Sequence, residues 1–134
     1  MFEQGEIWTA PFPYYELQNN TAYKRQFVLK DKIRPVIIVS ESNFNSDKLD
    51  VIVCQVSRHK DYRILTLRPE LKKRLIIISN SNLIPGTGNL RNISIIKPFK
   101  LFTLPKDLVL NGKLIGKLDQ QTLQQLLNNI HSLF

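Results

Sequence analysis

Two polar side chains stand at the ends of apolar runs, where buried strands would present them at the rim of a sheet. Arg34 precedes the run Pro35 to Ser40, and Ser57 closes the run that begins at Val51. A guanidinium binds two phosphate oxygens through its planar fork, and a hydroxyl donates one hydrogen bond to a phosphoryl oxygen. Each also has a structural interpretation, since an arginine can anchor a loop by a salt bridge and a strand-end hydroxyl can bind backbone. Together they predict a phosphate-binding site.

A basic stretch follows Ser57 and favours the same kind of ligand. Nineteen Lys and Arg against eleven Asp and Glu give the chain a net charge of +8, which attracts polyanions. Tyr62 lies inside the stretch and offers a surface on which a base can stack. Such a run is also typical of a solvated face, or of a surface that binds an acidic protein. The basic residues are Arg58, Lys60, Arg63, Arg68, Lys72, Lys73 and Arg74.

Length and composition limit the possible classes of protein. A chain of 134 residues that is 43% apolar predicts a single domain over 1–134. Cys54 is the only cysteine, which excludes an internal disulfide and a cysteine zinc cluster and predicts a buried, inert thiol. The N-terminus has no secretory pattern, and no apolar run approaches the roughly 18 residues of a membrane span. We expect a cytoplasmic protein without a membrane partner, cofactor or metal.

Most of the chain is predicted to form short strands. Pro11 and Pro13 interrupt the first apolar run, because proline lacks a ladder donor and restricts its neighbour. Residues 11–32 are therefore predicted to be a long loop, of the kind that is often functional or mobile. The predicted strands are Glu6 to Ala10, Pro35 to Ser40, Val51 to Val56, Tyr62 to Leu67, Leu75 to Ser79, Ile93 to Ile96 and Phe99 to Leu104.

The hydrophobic period changes near the C-terminus. Leu123, Leu126, Leu127, Ile130 and Phe134 recur at helical spacing after Asp119, whose carboxylate can cap a first turn, so 119–134 is predicted to be an amphipathic helix. No helical segment separates the strands. The predicted fold class is therefore mainly β with a C-terminal α-helix, in a small and strongly curved barrel.

The chain contains, in order, the segments Gly5-Glu6-Ile7-Trp8, Lys32-Ile33-Arg34-Pro35 with the apolar run after it, and Val51-Ile52-Val53 with the strand that ends at Ser57. These three segments resemble a known family, the PemK/MazF toxins of bacterial toxin-antitoxin pairs. The resemblance implies an SH3-like β-barrel of the PemK/MazF/CcdB type, paired as a homodimer whose RNA groove crosses the interface. It also implies an acidic antitoxin partner and a sequence-selective, metal-independent endoribonuclease that cleaves single-stranded RNA.

The resemblance also implies roles for individual residues. Arg34 matches the arginine that contacts the scissile phosphate, and Ser57 matches a Thr or Ser at the same offset. The Gly5 segment lies at the base of the family's groove, where Glu6 is expected to orient Arg34 and Trp8 to pack. Gly5 is expected to allow a tight turn. Supporting or RNA-binding roles are predicted for Gly5, Glu6, Trp8, Lys32, Pro35, Arg58, Lys60, Tyr62, Lys97 and Lys100.

The acid and base of the reaction are less directly indicated. Family members use an arginine and a carboxylate near a second-half strand, but the stretch Ser94 to Thr103 has no carboxylate. Lys97 or Lys100 would supply charge there without a bidentate fork. His59 titrates near neutral pH when unperturbed and is the alternative base, although a loop histidine is often only solvated. The predicted catalytic residues are Arg34, Ser57 and His59.

Two other functions remain open at this stage. The missing carboxylate is compatible with a noncatalytic RNA-binding relative on the same barrel. A CcdB-like inhibitor of a protein target such as gyrase is the other alternative. RNA binding without turnover would favour the first, and growth arrest with intact RNA would favour the second.

Overall fold

The computed structural model describes residues 2–20, 24–47, 49–58 and 67–134, with the backbone alone for 13–20, 24–31 and 47. In chain order the elements are β1 (Glu6–Asn20), β2 (Lys24–Ile38), α1 (Ser42–Asp47), β3 (Asp50–Arg58), α2 (Pro69–Lys72), β4 (Ile76–Ile78), a 3-10 turn (Asn80–Asn82), β5 (Ser94–Pro105), α3 (Lys106–Leu110), β6 (Leu114–Lys117) and α4 (Gln120–His131).

The strands form one curled antiparallel sheet in the order β4-β5-β3-β2-β1-β6. Its two ends approach each other, because Leu83 forms a β-bridge with Leu118 and the Ile84 amide donates to the Lys117 carbonyl at 2.9 Å. The sheet is therefore a half-barrel, and the predicted fold class is confirmed. Within the described part of the chain, every helix is too short or too polar to cross a membrane.

Core residues cover both faces of the central strands. Ile37 and Cys54 are paired in the ladder and belong to the cluster that also contains Leu123 and Leu126 of α4. On the opposite face, Val36 of β2 belongs to a second cluster with residues of β1, β3, β5 and α3. Burial on both faces explains why β2 and β3 carry nearly continuous apolar runs.

The predicted C-terminal helix is confirmed, but it ends earlier than predicted. The Thr122 amide donates to the Asp119 carboxylate at 2.7 Å, so Asp119 is the predicted N-cap. Leu123 and Leu126 are buried, but the helix ends at His131 and Phe134 is 92% exposed. Phe134 therefore does not pack in the core, although its position in the apolar pattern predicted that it would.

The loop predicted for 11–32 was wrong, since β1 and β2 pair continuously from Ile7↔Ile37 to Asn20↔Lys24. The physical reason lies in the spacing of the two prolines. The Thr9 amide points to the β6 side of β1, where it donates to the Lys113 carbonyl. Pro11 and Pro13 have the same parity as Thr9, so their nitrogens face that edge, beyond the end of β6, and no ladder bond is lost.

Other element boundaries also differ from the prediction. The two strands predicted at Ile93 to Ile96 and Phe99 to Leu104 are one strand, β5, which passes through Pro98 at a register shift where Gln55 pairs with Lys97 and Cys54 with Leu101. A bulge tolerates proline, because the local ladder is already interrupted. The short elements α3 and β6 were not predicted. The strand predicted at Tyr62 to Leu67 falls almost entirely outside the described residues.

Candidate functional site

An open groove lies where β2 and β3 separate. Their pairing ends at Val36↔Gln55, while β2 continues beside β1 and β3 continues beside β5. The strands therefore diverge beyond that pair and leave a wedge between them. The groove has a volume of about 1170 Å³, and its lining includes Arg34, Pro35, Ser57 and Arg58.

Sheet register explains why Arg34 and Ser57 meet in this groove. Moving two residues outward from the pair Val36↔Gln55 along both strands would set Arg34 opposite Ser57. Side chains two residues apart on a strand point to the same face, so both belong to the face that carries Val36. Arg34 is half-buried and Ser57 is buried. Arg34 and Ser57, which stand at the ends of separate apolar runs, therefore line the same groove.

The Ser57 hydroxyl is an unsatisfied polar group at this position. Its oxygen is buried and has no hydrogen-bond partner among the described residues, although Ser57 lines the groove. Leaving such a group unpaired costs about 1–3 kcal/mol. A hydroxyl in this state can donate to an incoming acceptor, because no internal bond must be broken first.

The electrostatic character of the groove is strongly cationic. No Asp or Glu lines it in the part of the chain that the structure describes. No described carboxylate pairs with Arg34 either, so its guanidinium is available to an external anion. An extended cationic groove fits a polyanion better than a single small anion. The basic lining residues are Lys32, Arg34, Arg58, Arg91 and Lys113.

A second wall of the groove was missed by the sequence analysis. It consists of residues 88–92 and of residues 113–115 at the start of β6, and it contributes Arg91, Asn89, Asn92 and Lys113. In the sequence, the segment Pro85-Gly86-Thr87-Gly88-Asn89 indicates a loop next to this wall, but it does not indicate where the loop packs. Residues on the two walls are thus far apart in the chain and adjacent only in the fold.

The Gly5 segment lies outside the lining of the groove. Glu6 accepts from the Glu3 amide at 2.8 Å and from Trp8 Nε1 at 3.4 Å. Contrary to the prediction, its carboxylate therefore binds these groups and not Arg34. Trp8 packs edge-to-face on Phe2, with ring centroids 5.1 Å apart. Gly5 has a φ of 93°, and its amide donates to the Ile38 carbonyl at 2.7 Å, as expected for a tight turn.

Among the other predicted residues, Lys32, Pro35 and Arg58 line the groove, whereas Lys97 and Lys100 do not. Lys97 is buried on β5, and Lys100 is exposed beside the bulge. His59, Lys60 and Tyr62 lie outside the described residues.

Cys54 is buried as predicted. Its thiol donates to the Lys97 carbonyl at 2.8 Å, and burial raises the pKa of this thiol. It therefore stays protonated and unreactive.

Fold and groove together define a small, basic β half-barrel with a cationic cleft between diverging strands. Residues 3–134 match the sequence model of the PemK-like, MazF-like toxins of type II toxin-antitoxin systems. The chain belongs to this family, which confirms the resemblance noted in the sequence. No curated protein sequence matches the chain.

Solved structures with the same fold come from several bacteria. A mycobacterial endoribonuclease in complex with its cognate antitoxin superposes with a TM-score of 0.63 at 13% identity, over 98% of this chain and 93% of that one. MazE-MazF from Deinococcus radiodurans gives 0.56 at 13% identity, over 98% and 94%. The Mycobacterium tuberculosis toxin MazF-mt6 gives 0.56 at 20% identity, over 75% and 85%. At these identities the likeness establishes the fold.

Proposed function

We propose that this protein is a sequence-selective, metal-independent endoribonuclease that cleaves single-stranded RNA in the cytoplasm, as the toxin of a toxin-antitoxin pair. Family membership supports the proposal, and one similar structure is described as an endoribonuclease bound to its antitoxin. The observation that carries it is the cationic groove that is lined by both Arg34 and the unpaired Ser57 hydroxyl.

The geometry suits stabilisation of a charged phosphorane. When the 2′-hydroxyl of RNA attacks the adjacent phosphorus, negative charge grows on the non-bridging oxygens. Arg34 can hold two of these oxygens with its fork, and Ser57 can donate to one of them. Both donors are held in place by strands before substrate arrives, so little reorganisation is needed in the transition state. The product expected for the family is a 2′,3′-cyclic phosphate or 3′-phosphate with a 5′-hydroxyl.

Proton transfer requires a further group. None of the described lining residues is a carboxylate or a histidine, so this part of the lining offers neither a carboxylate ligand for Mg²⁺ nor a base that titrates near neutral pH. His59 follows Arg58 directly and remains the proposed general base. This part of the proposal predicts that cleavage in EDTA depends on His59.

Partners follow from the same charge distribution. An acidic antitoxin segment would be attracted by the net charge of +8 and by the cations of the groove. We propose a homodimer as the active form, with the groove continuing across the subunit interface.

The decisive experiment is cleavage of a long unstructured RNA by the purified protein in EDTA, with the product ends mapped. Arg34→Ala and Ser57→Ala are compared with the exposed residues Arg68→Ala and Ser42→Ala, which lie outside the groove lining and match them in type. We expect discrete cuts that persist in EDTA and are lost only in the groove variants. Cuts that require a divalent cation, or that survive in Arg34→Ala, would contradict the proposal.

A noncatalytic RNA-binding relative is the second candidate, and it is favoured by the lack of a base among the described lining residues. Salt-sensitive binding of RNA by the folded protein, with no cuts under any condition, would establish this alternative. Growth arrest with intact RNA would instead favour an inhibitor of a protein target.

A further inference from the structure

The loop-built wall of the groove carries two cations that neither the sequence motifs nor the proposed catalytic site uses. Arg91 and Lys113 line the same groove as Arg34 and Ser57, and both are exposed. In the part of the chain that the structure describes, neither forms an ion pair with a carboxylate. Their charges are therefore directed to the groove and its solvent.

Lys113 stands on a backbone that is fixed to β1. Its amide donates to Thr9 Oγ1 at 2.7 Å, and its carbonyl accepts from the Thr9 amide at 2.9 Å. The neighbouring Gly112 packs directly on the Thr9 carbonyl, where a Cβ atom would overlap. Three contacts to one residue thus set the position from which the lysine side chain leaves the wall.

Arg91 is held by a different set of contacts. The Leu90 amide donates to Asn80 Oδ1 at 2.6 Å, and the Leu90 side chain is buried in the core cluster. Gly88 approaches β6 so closely that a Cβ atom would overlap the Ile115 carbonyl oxygen. The loop that carries Arg91 is therefore anchored at two points within three residues of it.

We propose that Arg91 and Lys113 bind the phosphates that flank the phosphate held by Arg34 and Ser57, so that the groove grips several consecutive nucleotides between two rigid walls. The inference rests on the proposed RNA substrate and adds the residues that position it. Such contacts are made to the ground state as much as to the transition state. They therefore govern binding, whereas Arg34 governs the chemical step.

The test measures binding of a non-cleavable 2′-O-methyl RNA pool, about twelve nucleotides long, at several salt concentrations. Arg91→Ala, Lys113→Ala and the double variant are compared with the double variant Lys106→Ala/Lys117→Ala. The control removes the same charge from two positions that neither line the groove nor belong to the basic stretch after Ser57. Thermal unfolding of each variant confirms that it is folded.

We expect each groove substitution to raise Kd about fivefold and to lower the slope of log Kd against log salt by about 0.7, the value for one phosphate of a single strand. The double variant should lose about twice that slope, and the control should keep the wild-type slope. An unchanged slope in the groove double variant, or an equal loss in the control, would overturn the proposal. Because the probe cannot be cleaved, wild-type binding without ribonuclease activity would refute the catalytic proposal and leave this one standing.

Discussion

The two walls of the groove are built in different ways. Arg34 and Ser57 extend from the ends of paired strands, so their positions follow from ladder register and from alternation along β2 and β3. Arg91 and Lys113 lie on irregular backbone held by contacts from elsewhere, such as the bond from Lys113 to Thr9 across 104 residues of sequence. Paired strands therefore position the proposed catalytic groups, whereas irregular backbone positions the proposed substrate-binding groups.

The largest effect is expected at Arg34. Arg34→Ala should lower kcat for RNA cleavage by about 100- to 1,000-fold, because it removes a donor aimed at developing charge. Arg34→Lys should recover only a small part of this loss, since an ammonium keeps the charge without the fork. Single-turnover rates at saturating RNA provide the measurement. Near-complete rescue by lysine would show that charge alone matters on the strand-built wall.

Ser57 should show opposite effects on activity and stability. Ser57→Ala is expected to lower the cleavage rate roughly 10- to 100-fold, since it removes a hydrogen bond to a charged oxygen. The same change deletes a buried hydroxyl that has no partner among the described residues, so the free energy of unfolding should stay equal or rise by about 1 kcal/mol. Urea denaturation beside the cleavage assay tests both. A loss of stability would assign Ser57 a structural role instead.

Gly88 tests the rigidity of the loop-built wall. Gly88 has a φ of 155°, and a Cβ there would overlap the Ile115 carbonyl. Gly88→Ala should therefore lower the free energy of unfolding by about 2 kcal/mol or more. It should also raise the KM for RNA cleavage roughly tenfold. Gly86→Ala is the matched control, since its φ is 83° but a Cβ there meets nothing within 4 Å. It should cost about 1 kcal/mol and leave KM unchanged. If Gly88→Ala and Gly86→Ala raised KM equally, RNA binding would not depend on the close contact between Gly88 and Ile115.

The smallest effect is expected at Thr9. Thr9→Val removes the acceptor of the Lys113 amide and should cost about 1 kcal/mol of stability, with an increase of about threefold in the Kd for RNA. The effect is small because the bond is exposed and water can replace the hydroxyl. Thr9→Ser keeps the acceptor and should behave as wild type. RNA affinity and thermal unfolding of both variants measure the difference.

Sequence patterns predicted the fold class, the C-terminal helix and the placement of Arg34 and Ser57 at one rim. Each of these depends on local periodicity and on which residues must be buried. The patterns failed for 11–32, where two prolines predict the end of a strand although their spacing directs both nitrogens to an unpaired edge. They also failed for Lys97, because a bulge and a buried environment could not be inferred from a short apolar run.

Sequence alone therefore determined that a guanidinium and a hydroxyl would stand at the ends of two buried strands, within a basic β domain closed by a helix. The tertiary structure decided that these strands diverge after Val36 and Gln55, and that a distant loop and the start of β6 line the opening with them. The reason is physical. Strand and helix patterns express interactions between near neighbours, whereas the second wall depends on hydrogen bonds and close glycine contacts between segments that meet only when the sheet curls.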